Sequence, residues 1–152
     1  MRVAEEKGDR ARLQQLAYEA QMLQNQGQGL QEQMGMLGAT VAQLNAAIES
    51  LKAMREKAGG KGTGFVPVGA GVFAPAQMEC DALLVDVGAG VLVEKPYAEA
   101  LKFLEERLKE AAGAQEKTQL GAVRAGQRLR AIDMEARALI EEMRGTGEEL
   151  GQ

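Results

Sequence analysis

The sequence predicts a mainly helical fold, a long antiparallel coiled-coil hairpin with two β-hairpins inserted between its helices. Two stretches keep a heptad spacing of seam residues without a slip, residues 13–51 and residues 97–143. Between them, the pentapeptide Val-Gly-Ala-Gly-Val occurs twice, at Val68–Val72 and at Val87–Val91. Because the two heptad stretches are similar in length and flank a turning insert, each is expected to pair with the other.

We expect one domain over residues 1–152, with a first helix over 10–57, two β-hairpins over 64–95 and a second helix over 96–145. Residues 1–10 are polar and are expected to fray. The glycine-rich segment 58–64 is expected to be a flexible joint. Pro96 suits the first position of the second helix, and Gly145–Gly147 is expected to end that helix.

The first helix carries two rows of seam residues, and along the combined seam the steps alternate between three and four residues. One row is leucine throughout, and glycine interrupts the other at Gly27. Further glycines between residues 26 and 38 weaken the helix, which therefore depends on its partner for stability. The rows are Leu13, Ala20, Gly27, Met34, Val41 and Ile48, and Leu16, Leu23, Leu30, Leu37, Leu44 and Leu51.

The second helix has Leu and Ile at the ends of its seam and small or polar residues in the middle. A long heptad can also form a plain homodimeric rod, but two matched heptads around an insert favour pairing within one chain. The predicted seam is Tyr97, Leu101, Leu104, Leu108, Ala111, Gln115, Thr118, Ala122, Ala125, Leu129, Ile132, Ala136, Leu139 and Met143.

The repeated pentapeptide predicts the turns of two β-hairpins. Apolar and β-branched residues flank each copy, and the central Gly-Ala-Gly permits the positive φ that tight hairpin turns require. A nucleotide-binding loop is the alternative, but the third glycine, a following helix and Gly-Lys-Ser/Thr are all missing. Pro67 and Pro75 cannot donate to a sheet ladder, so their strands should lie at an edge or end at a bulge.

The predicted hairpins carry more apolar residues than two small sheets can bury, because an isolated hairpin is marginal in water. A closed β-barrel formed with other subunits would cover both the apolar faces and the open strand edges. We therefore expect residues 65–93 to be the oligomerisation platform. The residues expected to make these contacts are Val66, Val68, Val72, Phe73, Leu84, Val85, Val87, Val91 and Val93.

Composition argues against several classes of function. The chain has no histidine and one cysteine, Cys80, so a Cys–His nucleophile is excluded and a small structural role is expected for Cys80. No metal-ligand cluster, cofactor motif or catalytic carboxylate pair is visible in the sequence. We therefore expect that the protein is not an enzyme and binds no cofactor. With 18 basic and 22 acidic residues interspersed, no nucleic-acid surface stands out. Without a membrane span or a signal peptide, a cytoplasmic location is expected.

The segments FVPVGAGVF and DVGAGVLVEK between two heptad helices, with MRGTGEE near the end, resemble the archaeal alpha class of the prefoldin family. The alpha class has two hairpins between its helices, as this sequence does. The resemblance implies a hexamer of two alpha and four beta subunits with a double β-barrel base and six coiled-coil tentacles. It also implies that the tentacle tips hold unfolded client proteins and pass them to a group II chaperonin without ATP.

The tips are then the expected client-binding sites, roughly residues 13–23 and 132–143, because the ends of a coiled coil open at little cost. Tyr18 and Ile140 lie off the predicted seam, so pairing of the helices does not explain them. The alternative for the remaining candidates is an ordinary seam role. A scaffold that binds one defined folded partner is the competing function. The expected client-binding residues are Leu13, Leu16, Tyr18, Leu139, Ile140 and Met143.

Overall fold

The structure is a computed structural model that describes residues 2–58 and 61–148. Its elements follow in the order α1 (Arg2–Ala58), β1 (Lys61–Gly69), β2 (Val72–Glu79), β3 (Ala82–Asp86), β4 (Leu92–Pro96) and α2 (Tyr97–Glu148). The predicted architecture, two long helices with two β-hairpins between them, is confirmed.

The ends of the helices differ from the sequence-based expectations. Helix α1 begins at Arg2, so residues 2–10 are helical, and Glu5 in its first turn suits the positive end of the helix dipole. Helix α2 begins at Tyr97, one residue after Pro96, which is the last residue of β4. The segment Gly145–Gly147 does not end α2, which continues to Glu148. Glycine lowers helix propensity by only about 1 kcal/mol, so a long helix can continue through it.

The chain divides into two compact units. The terminal unit comprises Met1–Met36 and Gln115–Gln152, and the hairpin unit comprises Leu37–Ala114. In the terminal unit α1 and α2 pair antiparallel, because Arg12 bonds Glu135 while Glu19 bonds Arg128. The hairpin unit contains all four strands and the adjoining helix segments.

The predicted heptad seam matches the burial along both helices. The most buried helical residues at seam positions are Leu16, Ile48, Thr118, Ala125 and Ile132, and the other described seam side chains are mostly half-buried. Two helices cover each other on one side only, which leaves most seam positions partly open to solvent. Ala100 is also buried, at 1% exposure, although it is off the predicted seam.

The strands form two separate two-stranded antiparallel sheets, β1 with β2 and β3 with β4. Every strand is therefore an edge strand, which confirms the expectation from Pro67 and Pro75 for β1 and β2. The register shifts between Pro67 and Gly69, which leaves Val68 as the extra residue of β1. Within the expected joint 58–64, residues 61–64 belong to β1, while residues 59 and 60 lie outside the described part.

The two copies of the repeated pentapeptide form the same turn. The φ angles of Gly69, Ala70 and Gly71 are 120°, 50° and 79°. The corresponding angles in the second copy, Gly88–Gly90, are 118°, 53° and 74°. The alanine and the second glycine are the two central residues of each turn. Positive φ at both of them is the property of type I′ turns, whose twist suits antiparallel hairpins. The sequence duplication is therefore also a duplication of backbone conformation.

Candidate functional site

The first hairpin carries a reciprocal arrangement of Phe and Pro on one face. Phe65 lies opposite Pro75, and Pro67 lies opposite Phe73, so a Phe-X-Pro tripeptide on each strand pairs with the other. Successive strand residues point to opposite faces, and these four therefore share one face. Phe65 is 74% exposed and Phe73 is 59% exposed. Two aromatic rings and two rigid proline rings thus form an apolar surface open to solvent.

The opposite face of the first hairpin is more covered. Ala74, Ala76 and Met78 on this face are half-buried, and Gly64 pairs with Ala76. A Cβ atom at Gly64 would collide with the Cε of Met78, so the methionine lies directly over the glycine backbone. Gly64 therefore permits close packing on this face, whereas the Phe-Pro face is left uncovered.

Exposed and half-buried apolar residues also alternate along the second hairpin. Leu84 and Leu92 are exposed, while Leu83 and Val85 are half-buried. An open cleft of about 360 Å³ lies between β3 and the helix segments of the hairpin unit, with Leu51, Phe103 and Leu104 among its lining. This hairpin therefore has one side toward the helices and exposes apolar residues on the other.

Eight of the nine residues predicted for oligomerisation are exposed, and Val85 is half-buried. Phe65 and Leu92 expose large apolar side chains on the same two hairpins, but the predicted set omits them. Apolar character alone does not select these two residues, whereas the strand pairing places Phe65 on the face of Phe73 and Leu92 on the face of Leu84. The exposed members of the predicted set are Val66, Val68, Val72, Phe73, Leu84, Val87, Val91 and Val93.

The predicted client-binding residues are of two kinds. Tyr18 is 70% exposed and Ile140 is 43% exposed. Leu16 is 1% exposed, the most buried large side chain among the described residues, so it can meet a client only if the helices separate. The half-buried candidates are Leu13, Leu139 and Met143.

Ion pairs between α1 and α2 flank Leu16, and sequence reasoning did not find them. Arg12 lies 2.6 Å from Glu135, and Arg128 donates two hydrogen bonds to Glu19 at 2.6 and 2.9 Å. The hydrogen bonds from Arg128 lower the pKa of Glu19, and those same bonds raise the pKa of Arg128. In each helix the charged residues are seven apart, a spacing that could have signalled interhelical pairs.

Packing is looser where glycines meet within the terminal unit. Gly27 and Gly126 line one open groove of about 560 Å³ together with Leu23, Met34 and Leu129. A Cβ atom at Gly27 or Gly126 would meet nothing within 4 Å. Gly27 is a predicted seam position and Gly126 is not, and the absence of a side chain at both leaves this groove open.

Neither a metal-binding cluster nor a membrane-crossing helix is found among the residues that the structure describes. Across 2–58 and 61–148, no three Cys, Asp or Glu side chains group closely enough to hold a metal ion. None of the helical segments in that range has the length and apolar character needed to cross a membrane. The candidate surface that the described residues do present is the outward apolar side of the two hairpins.

Comparisons with known proteins match this architecture. The family model described as prefoldin subunit matches residues 23–142, which includes both hairpins and most of both helices. The chain belongs to the prefoldin family. Prefoldin is a chaperone family, so the predicted identity as a prefoldin chaperone subunit is confirmed.

Individual prefoldin proteins are similar to this chain in sequence and in structure. Prefoldin subunit alpha of Nitrosopumilus maritimus is 32% identical over 84% of this chain and 97% of its own. Prefoldin subunit alpha of Pyrococcus horikoshii is 38% identical over 70% of this chain and 73% of its own. A filamentous prefoldin from Methanocaldococcus jannaschii, solved by cryo-electron microscopy, has a TM-score of 0.62 and 28% identity, covering 76% and 96% of the two chains.

Proposed function

We propose that this prefoldin chain is the alpha-class subunit of a hexamer of two alpha and four beta subunits. The hexamer holds unfolded client proteins at its coiled-coil ends and delivers them to a group II chaperonin, in the cytoplasm and without ATP or catalysis. The observation that carries the proposal is the apolar surface of two hairpins whose strands are all edges.

The physical support for assembly is the cost of leaving that surface in water. Burying an exposed Val, Leu or Phe side chain stabilises a complex by about 1.5–3 kcal/mol. Phe65, Phe73, Leu84 and Leu92 are each more than half exposed. Open strand edges also pair readily with other chains, and a closed intersubunit barrel satisfies both needs.

Assembly is tested with a charged substitution on the exposed hairpin face. Phe73→Asp is expected to abolish complex formation with the beta-class partner, because a carboxylate would replace a ring at the interface. Gln77→Asp is the matched control, since Gln77 is exposed on the same face of β2. Analytical ultracentrifugation measures the outcome. Equal assembly of both variants would refute the interface, and an open-ended size distribution would indicate a filament in place of a hexamer.

Client capture is tested on the assembled complex without nucleotide. Suppression of light scattering by several unrelated denatured proteins is expected, and Tyr18→Ala with Ile140→Ala should reduce it without changing assembly. Both side chains are exposed, so their loss removes apolar contact area while the helix seam is retained. If the intact complex ignores denatured proteins, the scaffold function with one folded partner is favoured.

A further inference from the structure

Arg55 makes two contacts beyond its own helix in the hairpin unit. Its Nη1 lies 3.1 Å from Oδ1 of Asp81, and its Cζ lies 4.8 Å from the centre of the Tyr97 ring. Asp81 belongs to the link between the two hairpins, and Tyr97 is the first residue of α2. The Arg55 side chain, near the end of α1, therefore contacts both the link between the hairpins and the start of α2.

Asp81 completes the arrangement through its backbone. The Tyr97 N–H donates a 3.2 Å hydrogen bond to the Asp81 carbonyl oxygen, which satisfies one of the first N–H groups of α2. The adjacent residues, Ala82 and Pro96, form the first pair of the β3–β4 ladder. Arg55, Asp81 and Tyr97 are thus joined in a closed set of three contacts.

The location of this set matters because the link between the hairpins is short. Only Cys80 and Asp81 separate β2 from β3, and Cys80 is buried at 2% exposure. The directions of both hairpins therefore depend on where these two residues are held. A contact that holds Asp81 against the helix ends constrains both hairpins together.

The contacts themselves are too weak to decide whether the helices fold. The side chains of Arg55 and Asp81 are 46% and 62% exposed, so water screens their attraction. Lys52, one turn earlier on α1, lies 3.8 Å from Glu105 of α2 and joins the helices without contacting the hairpin link. These two ion pairs have similar exposure but connect different parts of the hairpin unit.

We infer that Arg55 is a positioning residue: it holds the hairpin link against the helix ends and so presets the angle at which both hairpins meet a partner subunit. This inference rests on the proposed assembly through the hairpins. Preset interfaces bind more tightly because less conformational freedom is lost on association. Without this exposed ion pair and cation–π contact, the subunit concentration needed for assembly is expected to rise about five- to tenfold.

The direct test measures hairpin orientation in the full chain before any assembly. Spin labels at Gln77→Cys on β2 and Glu110→Cys on α2, with Cys80→Ala, give a distance distribution by pulsed electron paramagnetic resonance. Both label positions are exposed. Arg55→Ala is expected to broaden the distribution, whereas the control Lys52→Ala is expected to leave it unchanged. An unchanged distribution in Arg55→Ala would overturn the inference.

The second test measures assembly with the beta-class partner by sedimentation at several concentrations. Arg55→Ala is expected to assemble about five- to tenfold more weakly with unchanged helical circular dichroism, and Arg55→Lys, which keeps the charge, to recover part of the loss. Equal weakening by Lys52→Ala, or full assembly of Arg55→Ala, would overturn the inference. If Phe73→Asp leaves assembly intact, the proposed interface fails, while the distance measurement still decides whether Arg55 orients the hairpins.

Discussion

Glu19 of α1 accepts two hydrogen bonds from Arg128 of α2, at 2.6 and 2.9 Å. One heptad away the roles of the helices are exchanged: α1 supplies the arginine, Arg12, and α2 supplies the carboxylate, Glu135. Bidentate Arg–carboxylate pairs are among the stronger and more directional polar contacts. In this part of the terminal unit the two helices are therefore held by ion pairs on both sides of Leu16 in sequence, in addition to the buried seam.

The Glu19–Arg128 pair makes the stability of the coil depend on pH. Because the pKa of Glu19 is lowered below its usual 4.5, its contribution is fully present above that value and is lost as pH falls through the lowered pKa. We expect Glu19→Gln to lower the thermal midpoint modestly at neutral pH and to have little effect in strong acid. Circular dichroism melts of both proteins measure this gap. An equal gap at both pH values would contradict the ion-pair explanation, and about 1 M salt should also shrink it.

Leu16 is expected to be a structural residue first. Leu16→Ala should reduce the free energy of unfolding by about 2–5 kcal/mol, because it leaves a cavity at the most buried large position. Tyr18→Ala, two residues away and largely exposed, serves as the control and should change stability little. Urea unfolding followed by circular dichroism distinguishes them. Similar small losses would mean that the seam around Leu16 opens readily.

Gly27 offers a stabilising substitution. A Cβ atom there meets nothing within 4 Å, so Gly27→Ala should raise stability by about 0.5–1 kcal/mol through higher helix propensity. Gly126→Ala, on the other side of the same groove, should have a similar effect. Urea midpoints of the single variants test the expectation. A loss of stability would show that the groove is occupied or more tightly packed than the side chains indicate.

Gly69 is expected to respond in the opposite direction. Its φ of 120° is strained for any residue with a Cβ, so Gly69→Ala should destabilise the first hairpin by roughly 1 kcal/mol or more. Amide hydrogen exchange in β1 and β2 is the appropriate measurement, since the helices dominate circular dichroism. Unchanged protection would mean that the turn can adopt another conformation. Gly88→Ala should have the matching effect on β3 and β4, because its φ is 118°.

Much of the architecture was predictable because its causes are local. Heptad spacing defines the contact stripe of each helix, and the buried residues Leu16, Ile48 and Ile132 lie on the predicted stripes. The Gly-Ala-Gly segments permit the positive φ angles that both turns adopt. Helix ends were predicted less well, since a single glycine costs a helix only about 1 kcal/mol and both helices continue through one, at Gly8 and at Gly145.

The presence of apolar candidate surfaces was predictable from the sequence, but only some of the residues that form them were. A hairpin rich in apolar residues predicts an exposed surface, and Val68 and Phe73 are exposed as members of that set. The exposed Phe65 and the half-buried Val85 depend on strand register and on the packing of each hairpin. At the client-binding candidates, seam position could not distinguish the fully buried Leu16 from the half-buried Leu13.

The type and order of the elements and the shape of both turns follow from the sequence alone, because these depend on neighbours a few residues apart. The tertiary structure decided the Phe65–Pro75 pairing, the Glu19–Arg128 ion pair and the joining of Arg55 to Asp81. Each of these depends on the register of strands or on how distant segments meet. Many registers satisfy a periodic pattern equally well, and only the packed chain selects one.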